Sequence, residues 1–120
     1  MSPTVTDLAL RLAVRQGWAY YGPTEGNPRG TFGLGSSEGQ QLWRVAIPDA
    51  KARLPVKLAF VGEIVEALGT DYWRLKVDEL RAGQYLLRLY PRVCNKRGIV
   101  ETSDTDLVLA MIRAALEATK

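Results

Sequence analysis

The stretch PVKLAFVGEIVEALGTDYWRLKVDELRAGQYLLRLYPRV, residues 55–93, decides the fold. Its first part alternates well enough for a strand, through Val56, Leu58, Phe60 and Ile64, but helical spacing does better. Leu58, Val61, Ile64, Val65 and Leu68 fall on one arc with Glu63 and Glu66 outside it. Pro55 suits a first helical turn and Gly69 suits the residue past the last one. Gly62 opposes the helix by about 1 kcal/mol relative to alanine. The spacing therefore predicts a helix over 56–68. Two strands follow, Tyr72 to Val77 and Gln84 to Pro91, joined by a charged turn that ends in Gly83.

Upstream, Thr4 and Asp7 form a capping-box pattern, with Pro3 just outside the helix it opens. Val5, Leu8 and Leu12 gather on one side, Leu10 and Val14 lie nearly opposite, and Asp7, Arg11 and Arg15 make a polar stripe between them. Two apolar faces need two neighbours. Gly17 is placed to end this helix, Val5 to Gln16, in a left-handed turn. Trp18 to Tyr21 has the aromatic composition of a strand, and Gly22 to Gly30, with three glycines and two prolines, reads as a loop. Further strands are expected at Thr31 to Leu34 and Leu42 to Ile47, separated by the Gly35 to Gly39 turn and stopped by Pro48.

Downstream, Ser103 and Asp106 repeat the capping-box spacing and open a helix from Leu107 to Ala118. Leu107, Val108, Leu109, Met111, Ile112 and Leu116 cover more than half of its circumference. Such a helix is either deeply buried or meets another chain, and with the two-faced first helix it points to self-association as a homodimer. The fold class expected is α+β, an antiparallel sheet of about five strands with helices at the N-terminus, middle and C-terminus.

The chain has 120 residues, which is ordinary for one domain, 1–120, with one core. Its apolar share of 47% and charged share of 24% disfavour disorder. The net charge of +3 permits an anionic partner without demanding one. A single cysteine, Cys94, forms no intramolecular disulfide, and the start of the chain lacks the pattern of a secretory signal, so a soluble protein of the reducing cytoplasm is expected, with no membrane partner.

The inventory argues against most catalysis. There is no histidine, which removes the commonest general base and the commonest zinc ligand. Activation of Cys94 would have to come from Lys96, Arg97 or a helix end, and a half-buried residue at a strand end is the simpler account. Asp78 with Glu79 reads as a solvated turn, and Asp104 with Asp106 as negative charge set against a helix N-terminus. The glycines of 30–39 miss both the dinucleotide and the phosphate-loop spacings, and Arg29-Gly30-Thr31-Phe32-Gly33 misses the RNA-recognition consensus at its third position. No catalytic residue, cofactor site or metal site is expected, and the chain is read as no enzyme.

One constellation carries chemistry. Along the two strands, Trp73, Leu75, Val77, Tyr85, Leu87 and Leu89 face a core, and Tyr72, Arg74, Lys76, Leu86, Arg88, Tyr90 and Arg92 face outward. Neither run contains an acidic residue. Tyr72, Arg74, Lys76, Arg88, Tyr90 and Arg92 thus make a candidate partner-binding face, able to meet a protein or to stack bases and neutralise phosphates. A solvated strand surface would also use arginine and tyrosine.

The order helix, three strands, helix, two strands, helix resembles that of the type III secretion chaperone-like fold. The resemblance covers most of the chain and rests on element order, with no motif residue to carry across. It implies a small non-catalytic protein that pairs with itself or with a client. The sequence as a whole points to a non-catalytic protein-interaction module, an adaptor, accessory subunit or chaperone-like factor. The alternative is a nucleic-acid-binding module using the basic aromatic sheet face.

Overall fold

The computed structural model describes residues 4–35, 43–68, 72–91 and 98–119, the side chains of Tyr72 and Trp73 excepted. Its elements run α1 (Val5–Gln16), β1 (Ala19–Tyr21), β2 (Thr31–Leu34), β3 (Trp43–Ala46), α2 (Leu54–Ala67), β4 (Tyr72–Arg81), β5 (Gln84–Pro91), β6 (Val100–Asp104) and α3 (Leu107–Ala118). The α+β class is as expected, and 56–68 is helical except for Leu68, a turn residue just past α2. The expected five-stranded sheet is instead two three-stranded antiparallel sheets, β1-β2-β3 and β4-β5-β6. The added strand is β6. The chain divides into two compact units, 1–60 and 61–120, the division falling within α2.

In the first unit the capping box closes as its spacing predicts. Thr4 N donates to Asp7 Oδ2 at 3.3 Å and Asp7 N to Thr4 Oγ1 at 3.1 Å. At the other end Gly17 takes φ 73, and Trp18 N donates to Ala13 O at 2.9 Å while Gly17 N donates to Val14 O at 3.4 Å. This is the Schellman closure, and only glycine adopts that φ without a Cβ penalty. Leu8, Ala9, Leu12 and Ala13 form the buried face of α1, whereas Leu10 and Val14 are 51% and 74% exposed. Phe32 lies at the centre of an aromatic cluster, edge-on to Trp18 at 5.6 Å, tilted to Tyr20 at 6.0 Å and stacked on Phe60 at 6.3 Å.

The loop between β1 and β2 is built on Tyr20. Its hydroxyl donates to Arg29 O at 2.7 Å, and its ring lies so close to Gly22 and Gly30 that a Cβ there would sit 2.7 and 2.6 Å away. Arg29 in turn donates to Pro48 O at 3.1 Å, which holds the segment after β3. In α2 the inward side chains are Lys57, Phe60, Val61 and Ile64, so Val61 and Ile64 of the expected arc are buried, whereas Leu58 is exposed and Lys57 and Phe60 turn inward in its place. An almost wholly apolar helix carries little rotational signal, so its sequence alone does not say which side turns inward. The buried Lys57 ammonium donates to Ala50 O at 2.7 Å in the Asp49–Ala52 turn.

In the second unit β4 and β5 form a hairpin whose first strand runs longer than expected, while β5 has the expected bounds. Asp78 and Glu79 are strand residues, not turn residues, and the turn is Ala82–Gly83 with Gly83 at φ 81. The register slips by one residue between Glu79 and Arg81, and Glu79 Oε1 accepts from Gly83 N at 3.1 Å. Strand β5 pairs on its other side with β6, and α3 packs on both.

The expected cap of α3 is also corrected. Ser103 belongs to β6, and Asp106 is the N-cap, accepting from Val108 N at 3.2 Å while its own N–H donates to Asp104 Oδ1 at 2.8 Å. The acidic pair does face a helix N-terminus as read. Leu107, Val108, Ala110, Met111, Ile112, Ala114, Ala115 and Ala118 are all buried, which settles the alternative posed by this helix in favour of deep burial. The readings that concern Pro3, Leu42, Gly69, Arg92, Cys94, Lys96, Arg97 and most of the Gly35 to Gly39 turn lie outside the described residues. Among the described residues no helix is long and apolar enough to cross a membrane.

Two outcomes follow from this packing. Gly30→Ala has to place a Cβ against Tyr20 and hold φ 86, so urea unfolding is expected to show a loss of about 1–3 kcal/mol. Ile112→Asp buries a charge in a fully enclosed position, and far-UV circular dichroism is expected to show an unfolded chain.

Candidate partner-binding face

Antiparallel pairing puts directly opposed residues on one face of a sheet. Arg74 stands opposite Tyr90, Lys76 opposite Arg88 and Asp78 opposite Leu86, while Arg88 and Leu86 stand opposite Glu101 and Ser103 of β6. The same register sets Leu75 against Leu89 and Val77 against Leu87, with Val100 and Thr102 continuing those rows. Leu87, Leu89 and Val100 are buried, so this is the core face, and the first set is the outer one. The inward hydroxyl of Thr102 is satisfied by donating to Ala110 O at 2.8 Å. Near the β6–α3 turn, Arg113 meets Asp104 at 3.2 Å.

Four of the six candidate residues, Arg74, Lys76, Arg88 and Tyr90, are thereby brought together on one surface. The side chain of Tyr72 and all of Arg92 lie outside the described residues. The guanidinium of Arg74 lies 5.5 Å from the centre of the Tyr90 ring, a cation–π geometry. Arg88 Nε donates to Glu101 Oε2 at 2.8 Å, and Lys76 Nζ lies 3.9 Å from Asp78 Oδ2. The hydrogen bond that Arg88 donates to Glu101, and then the negative charge of Glu101, holds the Arg88 guanidinium above its ordinary pKa.

The face is therefore not purely basic. Its two carboxylates come from residues outside the runs considered in the sequence: Asp78, taken for a turn, and Glu101, on the strand not expected. A signal for β6 was present, since Val100 and Thr102 alternate with Glu101 and Ser103, but it is short and mostly polar.

The first sheet has a smaller counterpart. Arg44 stands opposite Gly33, and its guanidinium lies 4.5 Å from the centre of the Tyr21 ring, which reaches across from β1. A Cβ on Gly33 would be 3.0 Å from that ring, so the missing side chain is what lets the tyrosine lie over the strand. No group of three or more metal-ligating side chains occurs among the described residues. Comparison of the chain with protein families, curated proteins and solved structures gave no match.

The Arg88–Glu101 pair has one side chain 34% and the other 53% exposed, and solvent screening leaves such a pair a minor contributor to stability. Glu101→Ala is expected to shift the urea midpoint only slightly while leaving Arg88 without its carboxylate.

Proposed function

We propose that this chain is a non-catalytic protein-interaction module, working as an adaptor, accessory subunit or chaperone-like factor through the outer face of β4, β5 and β6. The observation that supports this reading is the pairing on that face. Arg74 lies over Tyr90, Arg88 is bonded to Glu101, and Lys76 stands near Asp78. A polyanion is held chiefly by cations whose counterions are released, and carboxylates interleaved among those cations oppose that gain. A protein surface of mixed charge has no such objection, and arginine with tyrosine is the composition on which protein interfaces concentrate their affinity.

The nucleic-acid reading keeps one feature in its favour, the exposed Arg74 over the ring of Tyr90, which could present a stacking surface. One experiment separates the two. Labelled single-stranded DNA and RNA are titrated at low salt, and capture from native lysate is run with and without nuclease. The expected outcome is no oligonucleotide binding at tens of micromolar, and a captured protein that survives nuclease and is lost in Tyr90→Ala and Arg88→Glu variants of unchanged circular dichroism. Oligonucleotide binding that falls with salt by roughly 0.7 counterion per phosphate would overturn the protein-partner reading.

A further inference from the structure

Strand β4 is the longest among the described residues, and β5 pairs with one of its edges. No strand among the described residues pairs with the other edge. The remaining edge strands β1, β3 and β6 have 3, 4 and 5 residues against 10 in β4, and short edges are how proteins avoid stray pairing. Burial across the ladder agrees with an open flank. On the same core-facing side Leu87 and Leu89 of β5 are fully enclosed, whereas their opposite numbers Val77 and Leu75 are only half-buried.

The charge order along this strand is self-complementary. On the outer face Arg74 and Lys76 precede Asp78, so within the regular segment 74–79 an antiparallel second copy of β4 brings positive residues against negative ones without opposing like charges in one register only, the Lys76-centred register setting Arg74 against Asp78 but also Lys76 against itself. Centred on Leu75, the pairing sets Arg74 against Lys76, and centred on Lys76, Asp78 or Glu79 it sets a like charge against itself on the two-fold axis. Centred on Val77, Lys76 of each copy faces Asp78 of the other, Val77 faces Val77, and Leu75 faces Glu79. The irregularities at Tyr72/Arg74 and Glu79/Arg81 confine regular pairing to the segment that this register uses.

We propose that the outer edge of β4 is a homodimer interface, in which two copies pair antiparallel about a two-fold axis at Val77 to make one continuous sheet of β6-β5-β4 from each. The interface is isologous, as a closed two-fold requires. It supplies backbone partners along an edge that no described strand pairs, covers Leu75 and Val77, and trades the 3.9 Å contact between Lys76 and Asp78 of one chain for closer pairs between chains. This deepens the proposed function by naming a second copy as one partner, and it joins two outer faces into one wider surface.

The test is a charge-exchange cycle on the full chain, read by sedimentation equilibrium with circular dichroism as the control for folding. Wild type is expected to dimerise in the micromolar range. Lys76→Asp and Asp78→Lys each place like charges twice across the axis, and are expected to weaken the dimer by at least about tenfold. The double exchange, Lys76→Asp with Asp78→Lys, is expected to restore it. A second measurement reads the register without relying on charge. In a Cys94→Ser background Val77→Cys is expected to cross-link two chains on oxidation, because residues on the axis bring their Cβ atoms within disulfide range. Leu75→Cys is expected not to, since its two sulfurs would start ~13 Å apart along the ladder. A wild type that stays monomeric, a dimer indifferent to both single reversals, or cross-linking at position 75 as ready as at 77 would each overturn the proposal. A monomer that still captures a client protein would overturn the dimer alone, and a dimer of this register that captures none would leave the interface standing and remove the adaptor reading.

Discussion

Strand β5 is the constraint on which the second unit depends. Both of its edges are taken, by β4 and by β6, and at its centre the enclosed Leu87 and Leu89 alternate with the part-exposed Leu86, Arg88 and Tyr90. Leu87 and Leu89 meet the layer on which α3 packs, and Arg88 and Tyr90 can then point only outward. A slip of one residue would bury an arginine and a tyrosine in their place and expose both leucines, so the register is held by the cost of that exchange. The ion pair to Glu101 and the cation–π contact to Arg74 are consequences of this alternation rather than its cause, since each is an exposed interaction of modest strength.

How much of this was legible in the sequence depended on whether a local signal competed with another. The bounds of α1 and β5 could be read because caps, glycines and periodicity agreed at Thr4, Gly17 and Gly83, and those of α3 from its apolar run alone, its cap having been misplaced at Ser103. Strand β6 could not, because Ser103 and Asp106 have the spacing of a capping box and the residues between Val100 and Asp104 are poor strand formers. Pairing with β5 overrides that weak propensity, and pairing is not local information. The inward face of α2 was read correctly at Val61 and Ile64 but not at Leu58, for another reason: apolar residues lie nearly all around the helix, and the choice of Phe60 over Leu58 is made by the stack on Phe32, a residue far away in sequence.

The candidate face shows the same division. Its cations and its aromatic residue could be assigned from period-two alternation within β4 and β5. Its carboxylates could not, because one belongs to a strand seen only through long-range pairing and the other to the end of a hairpin whose strands extend beyond their apolar runs. Missing them turned an amphoteric surface into a basic one. The error matters chemically, because the long-range attraction of a surface for a polyanion follows its summed charge, whereas recognition of a protein follows the local arrangement of both signs.

The burial of α3 moves the case for self-association from one kind of force to another. A wide apolar circumference argues for a second chain only while that area is uncovered, and eight buried positions on this helix leave little to cover. Leu10 and Val14 remain exposed on α1, but a pair of exposed side chains is ordinary on a protein surface. What the described strands of the second unit leave unpaired is backbone hydrogen-bonding capacity, along the outer edge of β4. Backbone groups at such an edge are solvated and cost little in isolation, so the edge alone selects no partner. Selection has to come from the side chains beside it, and a strand that carries two cations followed by carboxylates is complementary to its own antiparallel copy in a way that a uniformly charged edge is not.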